Sequence, residues 1–399
     1  MIAARPSKQE LSSRIRARAR ELGFDSVGIA PLGPSGHRDA YRRWISEGRH
    51  GEMSYLARTD ALAKRLDPSR VVANARSGVV VAKGYYAGKE SQTAGDPSRG
   101  VFARYARGRD YHDVLTPRLI ELQGWINREL RPVSGRAYVD TGPVLERELA
   151  FRAGLGWLAK NTMLIRPHGG SYFFLGVLLL DVELDYDQPF SGQLCGSCTR
   201  CLEGCPTGAL LGRDQTGAPV MDARLCISYL TIELKGAIPR QLRPLIGNRV
   251  YGCDICQEVC PHNRPKFVRL TDEPAFRPRG GLEGPALLDL IRITPQGFRD
   301  RFRGSPVRRA KRRGLLRNVA VALGNWGSPE AVPALIDALS DEEPLVRGHV
   351  AWALGQIGTP AGRSALEGRL ASEENGWVLE EVELALKSAG RNLSPPGGI

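Results

Sequence analysis

The sequence has no long hydrophobic run. Its longest, Phe173 to Leu180, is stopped by Asp181 and is far short of the roughly 20 apolar residues a membrane-spanning helix needs, so no membrane partner is expected. The first 24 residues, MIAARPSKQELSSRIRARARELGF, carry basic side chains but neither an apolar core nor a small-residue cleavage site. That argues against a secretory or twin-arginine leader and leads to the expectation of a cytoplasmic protein. Disorder is not the default reading: 42% of the 399 residues are hydrophobic and 25% charged, an ordinary globular composition with chain enough for two or three cores. Negative charge is the scarcer sign, with 43 Asp and Glu against 56 Lys and Arg, a net charge of +13. Such a surplus favours a polyanionic partner by counterion release, although a GC-rich coding genome also raises Arg.

What is present first is an α/β pattern up to about residue 185. Leu11 to Leu22 reads as an Arg-rich helix, and Ser26 to Ala30 and Ser77 to Lys83 as strands. Between Tyr111 and Leu130 the apolar residues Leu115, Leu119, Leu122, Ile126 and Leu130 keep to one helical face. Tyr172 to Leu180 reads as a buried strand that closes this region. Near the C-terminus RNVAVALGNWGS (317–328) recurs as RGHVAWALGQIGT (347–359), with Val319/Val350, Leu323/Leu354, Gly324/Gly355 and Gly327/Gly358 each 31 residues apart. A fainter copy, Val382 to Leu386, completes a short HEAT-like array whose units bury one another's apolar faces.

Every cysteine lies between residues 195 and 260. Cys195, Cys198, Cys201 and Cys205 before Pro206 form C-x2-C-x2-C-x3-C-P, the run of two-cluster bacterial ferredoxins, in which the fourth cysteine serves the other cluster. A second run, Cys253, Cys256 and Cys260 before Pro261, has its first member displaced to Cys226. The interlocked pattern assigns Cys195, Cys198, Cys201 and Cys260 to one [4Fe–4S] cluster and Cys205, Cys226, Cys253 and Cys256 to another. Zinc knuckles and disulfides are the alternatives, but neither accounts for two C-x3-C-P endings, and a cytoplasmic chain rarely keeps disulfides.

Two motifs point elsewhere on their face. Gly154-Leu155-Gly156-Trp157-Leu158-Ala159 fits G-x-G-x-x-A, yet the helical ERELAFRA precedes it and the extended TMLIRP follows, the reverse of a dinucleotide fold, so Gly154 is expected to cap a helix. Asp110-Tyr111-His112-Asp113-Val114-Leu115 starts like a cobalt-ligating D-x-H-x-x-G element, but Leu115 stands in place of Gly. His112 then reads as a buried histidine near a helix start.

Taken together, YARGRDYHDVL, YVDTGPVLERELAFRAGLGWLAKNTMLI, CISYLTIELKGAIP and YGCDICQEVCPHN, in this order with the cysteine runs and terminal repeats, resemble the epoxyqueuosine reductase family over most of residues 10 to 390. The resemblance implies reduction of the epoxide of epoxyqueuosine, in the anticodon stem-loop of tRNA, to queuosine. It implies base-off cobalamin fed by the two clusters, and a low-potential donor such as a flavodoxin or ferredoxin system. A monomer is expected. The expected architecture is an α/β (α+β) cobalamin-binding catalytic domain (1–185), a ferredoxin-like two-cluster domain (186–268), a basic linker (269–310) and C-terminal α-helical HEAT-like repeats (311–392).

Carried over residue by residue, the family's proton donor is Asp140 of the VDTGP motif; bare sequence would make it a cap for a helix beginning near Pro143. Corrinoid contacts are expected from Arg65, Tyr105, Asp140, Thr141, Asn161, Met163, Gly176, Ser228, Asp254 and Ile255, with the Cys226/Cys253 cluster nearer the corrinoid. For RNA, Arg299 to Arg317 offers nine basic residues and one acidic, a phosphate-binding strip or else a solvated linker, and Lys235 and Arg240 are further candidates. A reductive dehalogenase shares the cofactors but is typically longer and exported. A ferredoxin-like carrier without catalysis leaves the first 185 residues unexplained.

Overall fold

The computed structural model describes residues 6–88 and 95–388; the expected domain limits at residues 1 and 392 lie outside them. The chain forms two compact units. Met1–Lys89, Gly108–Cys226 and Asp254–Pro278 make the first, and Glu90–Arg107, Ile227–Cys253 and Arg279–Ile399 the second.

The first unit opens with α1 (Lys8–Glu21), started by Ser7, whose hydroxyl oxygen accepts the Glu10 N–H at 3.1 Å. Its strands are β1 (Ser26–Pro31), β2 (Ser77–Gly84), β3 (Gly135–Tyr138), β4 (Trp157–Leu158), β5 (Leu164–Ile165) and β6 (Phe173–Leu180). Four of them form a sheet in the order β1-β2-β6-β3, each neighbouring pair antiparallel. Antiparallel sheets commonly leave one face wet and alternate accordingly, but Val79 to Ala82 and Val177 to Leu180 are all fully buried.

Helices on both faces are the reason. On one, Leu115, Leu119, Leu122 and Ile126 of α2 (Tyr111–Glu129) are buried, as their spacing predicts, and a Cβ on Gly176 would come within 2.9 Å of Leu119 Cδ1. On the other, Leu149, Ala150 and Ala153, in and just after α3 (Glu146–Arg152), share a core with Ala30, Val80, Ala82, Val177 and Leu179. Gly154, at φ +73°, ends α3. Its N–H reaches the Phe151 carbonyl at 3.1 Å and that of Leu155 the Ala150 carbonyl at 3.0 Å, a Schellman turn. The hairpin β4–β5 follows, so the G-x-G-x-x-A segment is a helix end leading into a strand.

In the second unit the repeats are helix pairs: α4 (Lys311–Trp326) with α5 (Val332–Ala338), α6 (Pro344–Ile357) with α7 (Pro360–Ser372), and then α8 (Gly376–Ser388). Residues 269–310, read as a linker, include the short helices Leu287–Ile291 and Pro295–Arg301. The 31-residue period has two physical causes. Gly327 and Gly358 end α4 and α6 in the left-handed conformation, at φ +69° and +71°. Gly324 and Gly355 are contact points: a Cβ would lie 3.0 Å from Ala353 Cα in the first case and 2.7 Å from Ala385 Cβ in the second.

Substituting Gly355→Ala should therefore lower the unfolding midpoint, because overpacking against a backbone costs about 1–3 kcal/mol and outweighs the roughly 1 kcal/mol gained in helix propensity. Gly368→Ala, in α7 with nothing within 4 Å of the added Cβ, should raise it. Thermal unfolding of the two variants beside the parent measures both signs.

Candidate active site

Asp140 lies two residues past the end of β3. It is the centre of a three-residue turn closed by the Thr141 N–H on the Val139 carbonyl at 2.7 Å, with φ +59°. A turn of this hand is rare and strained for a non-glycine residue, and it persists here under two restraints. The Tyr111 hydroxyl donates to Asp140 Oδ2 at 2.7 Å, and the Asp140 N–H donates to Glu146 Oε1 at 2.8 Å. Asp140 is exposed and caps no helix: α3 starts at Glu146 with Leu145 at its cap.

Tyr111 is buried and stacks on Phe174 at 4.3 Å and 9°. Burial, then the negative charge of Asp140, lift its phenol far above the usual range, which keeps it a donor toward the carboxylate. Half-buried Glu146 is pushed up to about 8, by burial first and by Asp140 second.

The next residue works in another direction. Arg147 donates to the Thr162 carbonyl at 2.5 Å and approaches Met163 Sδ at 4.0 Å, holding the tip of the β4–β5 hairpin, where Thr162 is left-handed at φ +64°. Buried Asn161 donates from Nδ2 to the Cys256 carbonyl at 3.2 Å and accepts the Met163 N–H on Oδ1 at 3.2 Å. Three expected corrinoid segments, Asp140–Thr141, Asn161–Met163 and Asp254–Ile255 beside Cys256, are thus tied together through Glu146, Arg147 and Asn161.

The remaining expected contacts are placed separately. Arg65 is buried on the helix Thr59–Leu66 and donates to the Tyr55 carbonyl at 3.4 Å. Gly176 already has a packing reason in Leu119. Asp254 is buried and accepts from Gln257 Nε2 at 3.1 Å. Tyr105 and Ser228 belong to the second unit, Tyr105 with its ring 6.3 Å from that of Tyr251 and Ser228 on the helix Ile227–Ile232. His112, half-buried at the start of α2, is paired through Nδ1 with Asp110 at 2.7 Å.

None of the eight cysteines is in a disulfide. Among the described residues no three His, Cys, Asp or Glu side chains gather closely enough to hold a single ion; whether the thiols suit a cluster is a question of donor chemistry. Cys201 is pushed up to about 11 by burial and then by Cys195, Cys260 and Cys198. Cys260 is raised by burial and also feels Cys195 and Cys198. Four soft thiol donors that share one electrostatic field suit iron–sulfur ligation, and loading them must expel protons. Of the other four, Cys205, Cys226 and Cys256 are in the first unit and Cys253 in the second.

The hairpin supports these thiols. Trp157 Nε1 donates to Cys195 Sγ at 3.5 Å, Trp157, Ala159 and Ile165 pack with Cys260, and Lys160 Nζ donates to the Gly196 and Cys198 carbonyls at 2.8 and 3.0 Å. Sequence reasoning passed over Tyr111, Glu146, Arg147, Trp157 and Lys160. All but Lys160 look like ordinary core or helix residues, and their only signal is membership of the long motifs.

Comparison with known proteins follows this division. Residues 194–263 match a 4Fe-4S double cluster binding domain, 65–141 match "Epoxyqueuosine reductase QueG, DUF1730", and 308–387 match HEAT repeats. The chain is 43% identical to the epoxyqueuosine reductase of Pseudomonas aeruginosa over 359 residues, 88% of this chain and 96% of the relative. A crystal structure of an epoxyqueuosine reductase with an epoxyqueuosine-modified tRNA-Tyr stem loop is similar at TM-score 0.87 and 32% identity, covering 96% of this chain and all of that one. The Bacillus subtilis enzyme, solved with its catalytic aspartate loop swung out of the active site, is similar at TM-score 0.86 and 31% identity, covering 96% and 100%.

The Trp157 N–H on Cys195 gives a testable consequence. Hydrogen bonds to ligand sulfur favour the more negative, reduced cluster, so Trp157→Phe should shift one cluster to a more negative potential at unchanged iron content, read by redox titration followed by electron paramagnetic resonance.

Proposed function

The chain belongs to the epoxyqueuosine reductase family, and on that premise we propose that it reduces the epoxide of epoxyqueuosine in a tRNA anticodon stem-loop to queuosine, with Asp140 supplying a proton. The observation that carries this reading is the exposed, strained Asp140 turn, tied through α3 to the hairpin and to the cysteine loop. Cys195, Cys198, Cys201 and Cys260 are the ligand set of one cluster, and Cys205, Cys226, Cys253 and Cys256 that of the other. Arg65, Tyr105, Asp140, Thr141, Asn161, Met163, Gly176, Ser228, Asp254 and Ile255 are proposed to hold base-off cobalamin. When bound, these groups supply two electrons, one at a time, from a flavodoxin or ferredoxin system.

The chain's own part is binding, orientation and proton supply. Opening an epoxide leaves an alkoxide, whose conjugate acid is very weak, so a positioned acid is needed. Asp140 fills that role, its carboxyl oriented by the Tyr111 hydroxyl; the oxygen leaves as water after two electrons and two protons. The modified base must leave its stack to reach the site, and phosphate contacts elsewhere supply affinity without sequence information.

The basic strip is not uniform. Arg317 is buried and spends its donors on the carbonyls of Leu230, Leu234 and Gly236 and on Asn318 Oδ1, so it is withdrawn as a phosphate ligand. Arg240 pairs with Glu381, Arg309 with Glu233, Arg312 with Asp341 and Arg303 with Asp300. Arg308 and Lys311 are exposed and in no ion pair among the described residues. Lys235 lies in the field of Arg309, Arg317 and Lys311. The RNA surface is therefore proposed to centre on Arg308, Lys311 and Lys235.

The activity is tested by incubating reduced enzyme, loaded with clusters and cobalamin, with tRNA carrying epoxyqueuosine and detecting queuosine by mass spectrometry. Conversion is expected, and its absence from fully loaded protein would sink the assignment. Asp140→Asn should keep all cofactors and lose most turnover; full turnover would remove Asp140 as the acid. Separately, Lys311→Glu should weaken tRNA binding and flatten its salt dependence, lowering the log–log slope by about 1 per lost phosphate contact.

A further inference from the structure

We propose that Glu146 is a positioning residue that latches the Asp140 turn in its left-handed conformation, so that the acid stays aimed at the substrate; the inference rests on Asp140 as proton donor. The backbone geometry carries it. Asp140, at φ +59° in a turn closed by Thr141 on Val139, occupies a strained conformation that persists only where its surroundings over-determine it. The Tyr111 hydroxyl restrains only the side chain, whereas the bond from the Asp140 N–H to Glu146 Oε1, 2.8 Å, restrains the backbone itself.

Glu146 is suited to be the fixed end. It begins α3, whose Leu149 and Ala150 are anchored in the sheet core, and its neighbour Arg147 is held by the Thr162 carbonyl. The turn is tight on its other side as well, since a Cβ on Gly142 would run into the Tyr138 ring. Burial and Asp140 raise the Glu146 carboxyl, against the Asp140 N–H hydrogen bond and then Arg147, and in either protonation state a carboxyl oxygen accepts that N–H. Gln reproduces that acceptor; Ala removes it, and Asp withdraws it by one methylene.

The test uses the cluster- and cobalamin-loaded enzyme. Hydrogen exchange of the amides of residues 139–145, read by mass spectrometry, should be faster in Glu146→Ala and Glu146→Asp, with the amides of Phe173–Leu180 and the unfolding midpoint unchanged. In both variants kcat should fall by roughly 10- to 100-fold, the cost of a small misplacement of a reacting group, at unchanged KM for tRNA. Glu146→Gln should restore both exchange and kcat. Wild-type exchange in both Ala and Asp variants overturns the latch, as does a Gln variant as impaired as Ala. If Asp140→Asn retains turnover, the donor assignment falls, while faster 139–145 exchange in the Ala variant still upholds the latch as a backbone restraint.

Discussion

One buried amide decides how the site is assembled. Asn161 has its donor on the Cys256 carbonyl and its acceptor on the Met163 N–H, and leaving either group unpaired in the interior would cost about 1–3 kcal/mol. The cysteine-bearing loops have little apolar periodicity of their own and cannot be held by a core of their own making. They are held by the hairpin: Trp157 and Ile165 pack on Cys260, Lys160 ties down the first cysteine run, and Asn161 the second. Through Arg147 and Glu146 the same hairpin is connected to the Asp140 turn, so the position of Asp140 and that of the thiols follow from one set of contacts.

The parts legible in the sequence are those written in a period or a spacing. The face of α2, the cysteine runs and the 31-residue repeat each restate one constraint several times, and each has a direct cause in the fold. Gly324 and Gly355 are where repeat helices touch; Gly327 and Gly358 are where two of them stop. Even the misleading G-x-G-x-x-A could be read correctly, because the order of helix and strand around it is itself a local signal.

The illegible parts are single contacts between residues that follow no pattern. Nothing local says that Glu146 bonds backward to residue 140 while Arg147 bonds forward to residue 162, or that the turn at Asp140 is left-handed rather than the start of a helix. Arg317 is the plainest case. In the sequence it is the last of nine cations in a strip, and in the fold it is a buried clamp on three carbonyls. Arg has five donors and no acceptor, so the side chain that serves phosphate on a surface serves a cluster of carbonyl groups equally well inside, and composition cannot separate the two uses.

The energetics of the Asp140 turn explain why its supports are hydrogen bonds rather than packing. The strain is about 1–3 kcal/mol, and the bonds from Tyr111 and to Glu146 contribute about 0.5–1.5 kcal/mol each, so strain and restraint are of the same size. A turn buried under apolar side chains would be fixed more firmly, but its carboxyl would be shut away from solvent and from any bound molecule. Exposure therefore excludes burial as the restraint, and strain excludes leaving the turn unsupported. Two polar contacts, one to each end of the residue, meet both demands: they orient the carboxyl while leaving it exposed.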